Sequence, residues 1–380
     1  MLASIAVAAV LASGPAAAPA PAAAPAVVLR PRITPAHKTW TSKGKVCSFD
    51  VTYPKVSGVP AEAAINQAIE ASFLSERPFR ADCAPATDAQ RTAIEASYSI
   101  GLEDAGLLSI RYSGLESAVG DNGDPEGAHP TKLYHGLTVS LADGKQVGWR
   151  SLFKQDAYGK IEARLAAQAG PIDKKRERDF FLTRAAVVVL NLFDNFAMGS
   201  VQGVLRVAAV GPLAAPGGAV ATLATLPALP DPSGVYGDVT ILAVEDAWAI
   251  SFGPKTGKKL PCTLIAAPSA GDTLRFQDAP EDRVDISASA IGIHARCEGE
   301  ARSLELSRAS VKAPVACTVT AAQATFWDPD TGEERLAYVV KGDKVDTAAS
   351  SERGKTIARF RGTKGSTLGL LEPRALSCPR

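Results

Sequence analysis

Between Glu95 and Glu116 the chain reads EASYSIGLEDAGLLSIRYSGLE, two runs of alternating residues joined at Glu103-Asp104-Ala105-Gly106. Successive side chains of a strand point to opposite faces, so alternation marks a strand with one face to bury. An Asp and a Gly in so short a connection provide the tight turn of an antiparallel hairpin. The same grammar recurs at Leu133–Phe153, LYHGLTVSLADGKQVGWRSLF, with Ala142-Asp143-Gly144-Lys145 as its turn. Upstream, Lys45–Val56 (KVCSFDVTYPKV) alternates as a further strand. Pro60 then opens a helix whose apolar positions Ala64, Ile65, Ala68, Ile69 and Phe73 recur at helical spacing, and Pro78 ends it. A strand, a helix and several hairpin-linked strands predict an α+β fold with an antiparallel sheet and packed helices.

The rest of the chain divides by pattern. The segment from about 157 to 200 predicts a helical insert: YGKIEARLAAQ, then the charged turn DKKRERD, then RDFFLTRAAVVVLNLFDNFAMG as a buried core helix. Arg184, Asn191 and Asp194 interrupt that last run too often for a membrane span. The Ala/Pro/Gly-rich stretch 211–234 predicts a mobile loop or insertion. Short strands with turn residues predict a β-rich linking segment over 259–315, and residues 316–380 read as a small β barrel.

Export is the expectation for the compartment. Residues 1–28 combine an apolar run, MLASIAVAAVLASG, with small residues suited to cleavage and an Ala/Pro spacer. Six cysteines, Cys47, Cys83, Cys262, Cys297, Cys317 and Cys378, contain no C-x-x-C pair, which excludes zinc ribbons and thioredoxin-type chemistry. They allow many pairings. Bridges Cys47–Cys83, Cys262–Cys297 and Cys317–Cys378 keep each link inside one segment and suit an oxidising compartment. A periplasmic or secreted protein with no remaining membrane span follows. The 41 Lys and Arg nearly cancel the 40 Asp and Glu, so no net field draws nucleic acid or an anionic membrane.

Motifs for chemistry are absent: there is no G-x-S-x-G, no H-E-x-x-H, no Walker loop and no dinucleotide fingerprint. Of the four histidines, His129 and His135 lie beside Asp121, Asp124 and Glu126. Six residues apart on an extended chain, the two rings share a face. The expected role of His129 is to bond backbone within a loop shaped by Gly127 and Pro130. The competing reading is a metal or catalytic group. His294 predicts a packed or surface strand position, and His37 falls in a flexible N-terminal segment. Asp124, Glu126, His129, His135, Trp327 and Tyr338 are the candidate binding residues, with core packing competing for Trp327, Tyr338 and Phe360. No catalytic residue, metal or cofactor is assigned.

TYP at Thr52–Pro54, the IN of the helix, LLSIRYSG, Glu126-Gly127-Ala128-His129-Pro130, the Ala142–Lys145 turn and Ser151-Leu152-Phe153 together resemble a known family. It is the RsiV-like extracytoplasmic domain, also found N-terminal in PdaC and known as domain of unknown function 3298. The resemblance runs from about Val46 to Phe252 and implies an RsiV-like domain over 40–258. More loosely, AYVVKGDKVDT and TLGLLEPRAL resemble bacterial SH3-like modules, with Gly369-Leu370 where those carry Gly-Trp. The resemblance implies a cell-envelope binding or interaction protein without its own catalysis, recognising peptidoglycan or a lysozyme-like protein. An envelope hydrolase or deacetylase using His129 and His135 with nearby carboxylates is the first alternative. A structural component of an envelope complex is the second.

Overall fold

A computed structural model describes residues 30–379 apart from 43–45, 76–90, 121–124, 171, 173–177, 196–198, 228, 230, 245–246, 254–261, 271–272, 277–281, 288, 298–299, 328–333, 353 and 364. The protein is predominantly β. Among the described residues no helix is long and apolar enough to cross a membrane.

The first sheet has five strands in the order β1 (Arg32–Thr41), β2 (Cys47–Ser57), β3 (Arg91–Asp104), β4 (Leu107–Val119) and β5 (Pro125–Ser140). β2 and β3 run parallel, which requires a crossover, and α1 (Glu62–Phe73) lies on that connection. Its buried residues Ile65, Ile69 and Phe73 recur every four positions and close over Phe49, Val51, Tyr98 and Ile110. The β3–β4 turn forms where expected. Ala105 and Gly106 both take positive φ, and Asp104 Oδ1 accepts the Ala105 N–H at 2.7 Å. β1 corrects one expectation: His37 sits on a paired edge strand, its Nε2 2.6 Å from Asp50 Oδ1, rather than in a flexible segment.

The loop predicted up to Pro130 is shorter than expected. β5 begins at Pro125, and Gly127–Pro130 form a bulge between the Ala118–Glu126 and Glu116–Thr131 pairs. After Ser140 the Ala142–Lys145 turn forms with Gly144 at φ 71°, but the returning strand shrinks to a single bridge, Gln146 to Val139. The chain then turns Trp149, Leu152 and Phe153 into a second core.

That second core corrects the helical insert. α2 (Tyr158–Ala169) is a helix, but the predicted core helix is instead β6 (Asp179–Leu182), β7 (Ala186–Asn195) and the start of β8 (Gly199–Arg206), a three-stranded antiparallel sheet. The reason is visible in Val187-Val188-Val189. β-branched side chains are stiff at χ1 and favour strands. This strand is buried on both faces: Val187 and Val189 face the α2 core, while Val188 and Leu190 join Phe181 against Tyr134. A continuous apolar run of this kind carries no period to tell strand from helix. The stretch after it, expected as loose, is also packed. Within 211–234, α4 (Ala219–Thr225) buries Val220 and Leu223 in the same core, beside Val210 of the preceding α3 (Val207–Val210).

Eight strands then follow as a meander: β9 (Gly234–Tyr236), β10 (Val239–Ala243), β11 (Trp248–Phe252), β12 (Cys262–Pro268), β13 (Thr273–Phe276), β14 (Arg283–Ile286), β15 (Ala290–Cys297) and β16 (Glu300–Ser307). The boundary expected at 258 falls between β11 and β12, which are neighbours in this one sheet. His294 lies at its surface on β15, bonded to Ser303.

The last seven strands are β17 (Val315–Val319), β18 (Gln323–Trp327), β19 (Glu334–Val340), β20 (Lys344–Glu352), β21 (Lys355–Gly362), β22 (Gly365–Leu371) and β23 (Leu376–Ser377). Their order is β19-β18-β22-β21-β20-β17-β23. The expected Cys317–Cys378 disulfide ties the sheet's first strand to the chain's end. Cys47 is also disulfide-bonded. Cys83, expected as its partner, lies outside the described residues, as do the side chains of Cys262 and Cys297.

Candidate functional site

His135 stands opposite Tyr112 in the β4–β5 ladder, where α1 crosses the sheet. Its Nε2 lies 2.8 Å from Ser72 Oγ and its Nδ1 lies 2.8 Å from Asp179 Oδ2. Each partner arrives for a local reason. The buried stripe of α1 sets the helix's rotation, and Ser72, three residues after Ile69, falls at the margin of that stripe, half-buried. Asp179 opens β6, which packs against β5 closely because Gly136 has no side chain. A Cβ there would meet Phe180 O at 1.9 Å.

The hydrogen bonds orient the ring. Asp179 Oδ1 accepts the Gly136 N–H at 2.8 Å, and its other oxygen faces His135. Where that carboxylate is ionised it only accepts, and Nδ1 carries the proton. In the neutral ring Nε2 then holds a lone pair and accepts the Ser72 hydroxyl proton. The Phe73 ring meets His135 edge-on with centroids 6.1 Å apart and stacks on Tyr112 at 5.1 Å. Burial pushes the Tyr112 phenol's pKa up, so it stays protonated beneath the site. His135 and Asp179 remain 28% and 26% exposed, so solvent reaches the group. Hydroxyl, imidazole and carboxylate in this sequence are the parts of an activated nucleophile.

The other candidates are dispersed. Glu126 and His129 lie on β5, where only the backbone is described, and Asp124 lies outside the described residues. Among the described residues no three His, Cys, Asp or Glu side chains gather in a way that would hold a metal ion. In the last sheet Trp327 packs beside Leu370 in the seam against Leu242 and Ala249, with Lys355 Nζ 4.4 Å from its ring centroid. Phe360 also packs into the core. Tyr338 does not: it is 56% exposed on the edge strand β19, two residues from Val340, which is 43% exposed.

Ser72 and Asp179 carry no mark in the sequence. They lie 63 and 44 residues from His135, on an ordinary helix and beside a charge run.

No family model matches this chain, and no curated protein matches it. Solved structures do. A DUF3298 family member from Bacteroides fragilis is 11% identical, with a TM-score of 0.35 over 52% of this chain and 98% of that one. A DUF3298 family protein from Pseudomonas aeruginosa PAO1 is 14% identical, with a TM-score of 0.34 over 51% of this chain and 94% of that one.

Proposed function

We propose that the protein is an exported binding protein of the cell envelope, periplasmic or secreted, that recognises peptidoglycan or a lysozyme-like protein. In this reading the N-terminal part is an RsiV-like α+β domain and the last sheet is an SH3-like receptor module. The observation that supports it is the strip on β19. A tyrosine and a valine stand exposed on one face of an edge strand, where β18 adds Gln323 and Thr325 alongside. Tyrosine combines a rigid apolar ring with a polar tip and is enriched where proteins bind partners. An edge strand also offers unpaired backbone groups to an extended peptide.

Calorimetric titration of the full chain with muropeptides and, separately, with lysozyme tests the reading. Binding of either that weakens about tenfold or more in Tyr338→Ala supports it, since exposed aromatic anchors carry much of an interface's affinity. Absence of binding to both, or binding indifferent to Tyr338→Ala, overturns it.

A further inference from the structure

We propose that Ser72 is a nucleophile, activated by His135 as general base, that takes acyl groups from small activated esters, with Asp179 as the positioning residue. This goes beyond the binding reading and stands independently of it, in a different part of the molecule. Three observations carry it. Both hydrogen bonds of the relay are 2.8 Å, within the reach that proton transfer requires. The carboxylate is itself held, by the Gly136 N–H, so the ring is held in one orientation, with Nδ1 facing the carboxylate and Nε2 facing Ser72. The group is partly exposed: Ser72 is half-buried, and the His135 and Asp179 side chains are 28% and 26% exposed. A purely structural tie explains less: the Asp179–Gly136 bond already joins β6 to β5, and water can satisfy a half-exposed serine hydroxyl as well as histidine does.

The step balances without a further reagent. Ser72 Oγ attacks the ester carbonyl carbon, and its proton moves to His135 Nε2. The carbon–oxygen bond to the leaving group breaks as that proton passes to the departing oxygen, which releases an alcohol and leaves an acyl-serine. Water then attacks the acyl carbon and gives a proton to Nε2. The carboxylic acid departs, and Ser72 regains its proton.

The substrate class follows from the element that bears the nucleophile. Ser72 lies in the last turn of α1, so its own N–H is engaged within the helix and cannot meet a developing oxyanion. Each missing oxyanion donor costs about 10²–10³-fold in rate. Esters with good leaving groups need that stabilisation least, so they are the substrates expected to turn over.

The test incubates the full chain at pH 8 with a fluorophosphonate probe and, separately, with p-nitrophenyl acetate. The expected result is one phosphonyl adduct, mapped by peptide mass spectrometry to Ser72, and a burst of nitrophenolate. Ser72→Ala, which preserves helix propensity, removes both. His135→Gln lowers both by about 100-fold or more. Asp179→Asn shifts the pH midpoint of labelling, a change that a structural tie would not produce. An adduct elsewhere, no adduct, or ester turnover in Ser72→Ala equal to that of the natural chain overturns the proposal. A circular dichroism melt of Ser72→Ala that matches the natural chain shows that its loss of labelling is not unfolding.

Discussion

Gly136 holds two neighbouring strands at a distance that no side chain permits. An added Cβ would lie 1.9 Å from Phe180 O, and one at Gly101 would lie 2.4 Å from Leu182 O, so β6 crosses a sheet face cleared at two places. Gly136→Ala is expected to destabilise the fold by about 1–3 kcal/mol, the usual cost of overpacking. It also moves Asp179 away from His135. Denaturant unfolding combined with Ser72 labelling checks this; an unchanged midpoint contradicts the close approach. Asp143 offers a second test. The Lys145 ammonium donates to its carboxylate, with further bonds from Ser140 and the Lys145 N–H, and these lower its pKa from 3.8 to about 2. A lowered folded-state pKa stabilises the fold above the unfolded value and loses that contribution as pH falls through about 2. The pair lies at the surface, so its effect on stability is small, but its titration is readable. Carbon NMR of the carboxyl group should give a midpoint near 2, moving back towards 3.8 in Lys145→Met; a midpoint at 3.8 in the natural chain refutes it. At this scale the sequence announces His135, because histidine is scarce here. It is silent on Ser72 and Asp179, whose meeting with the ring depends on how a helix and a strand pack.

α1 and β7 show what pattern can and cannot disclose about elements. In α1 the buried positions recur every four residues between polar ones, so both the helix and its inner face are legible. The hairpin at Ala105-Gly106 is equally legible, because its turn needs residues that tolerate positive φ. In β7 nearly every side chain is apolar, since one face meets the α2 core and the other meets Phe181 and Tyr134. Burial on both sides erases the period, and only the β-branched valines hint at a strand. The segment 211–234 misleads in the opposite sense: Pro and Gly suggest a loop, yet Val220 and Leu223 between them anchor a short helix. Ile69 is the centre of the legible helix and is fully buried. Ile69→Ala should cost about 2–5 kcal/mol, the range for such truncations in a core. Because Ser72 shares the helix, labelling at Ser72 should fade with denaturant in step with the loss of helix. Labelling that survives after the helical signal has gone would separate the two.

The eight-stranded sheet is joined to the first sheet by an arginine, and to the last by an arginine and an apolar seam. Arg275 bonds Glu103 with both carboxylate oxygens 3.2 Å from Nη2, which ties the eight-stranded sheet to the first. Leu242 and Ala249 pack on Ile357, Leu368 and Leu370, which seats the last sheet on the meander. Arg359 lies in that joint with its side chain 2% exposed. Nε and Nη2 donate to Asp346 Oδ2 at 3.1 and 2.6 Å within the last sheet. Nη1 donates across the joint to Ala243 O at 2.9 Å and to Ser233 Oγ, and lies 3.4 Å from both oxygens of Asp231. One guanidinium therefore satisfies groups from two sheets, and Arg361 supports it by bonding Asp231 at 2.6 Å. Arg359→Met keeps much of the apolar stem and removes every one of those donors. Breaking a buried charged network by deleting one member costs about 3–5 kcal/mol. The low end is expected here, because Asp346 is partly exposed and Arg361 lies 3.9 Å from it. The loss falls on the joint more than on either sheet. The natural chain should therefore melt with the last two sheets in one transition, and Arg359→Met with the 315–377 sheet first. Differential scanning calorimetry distinguishes the cases. A single transition at an unchanged temperature in Arg359→Met would mean that the apolar seam alone couples the sheets.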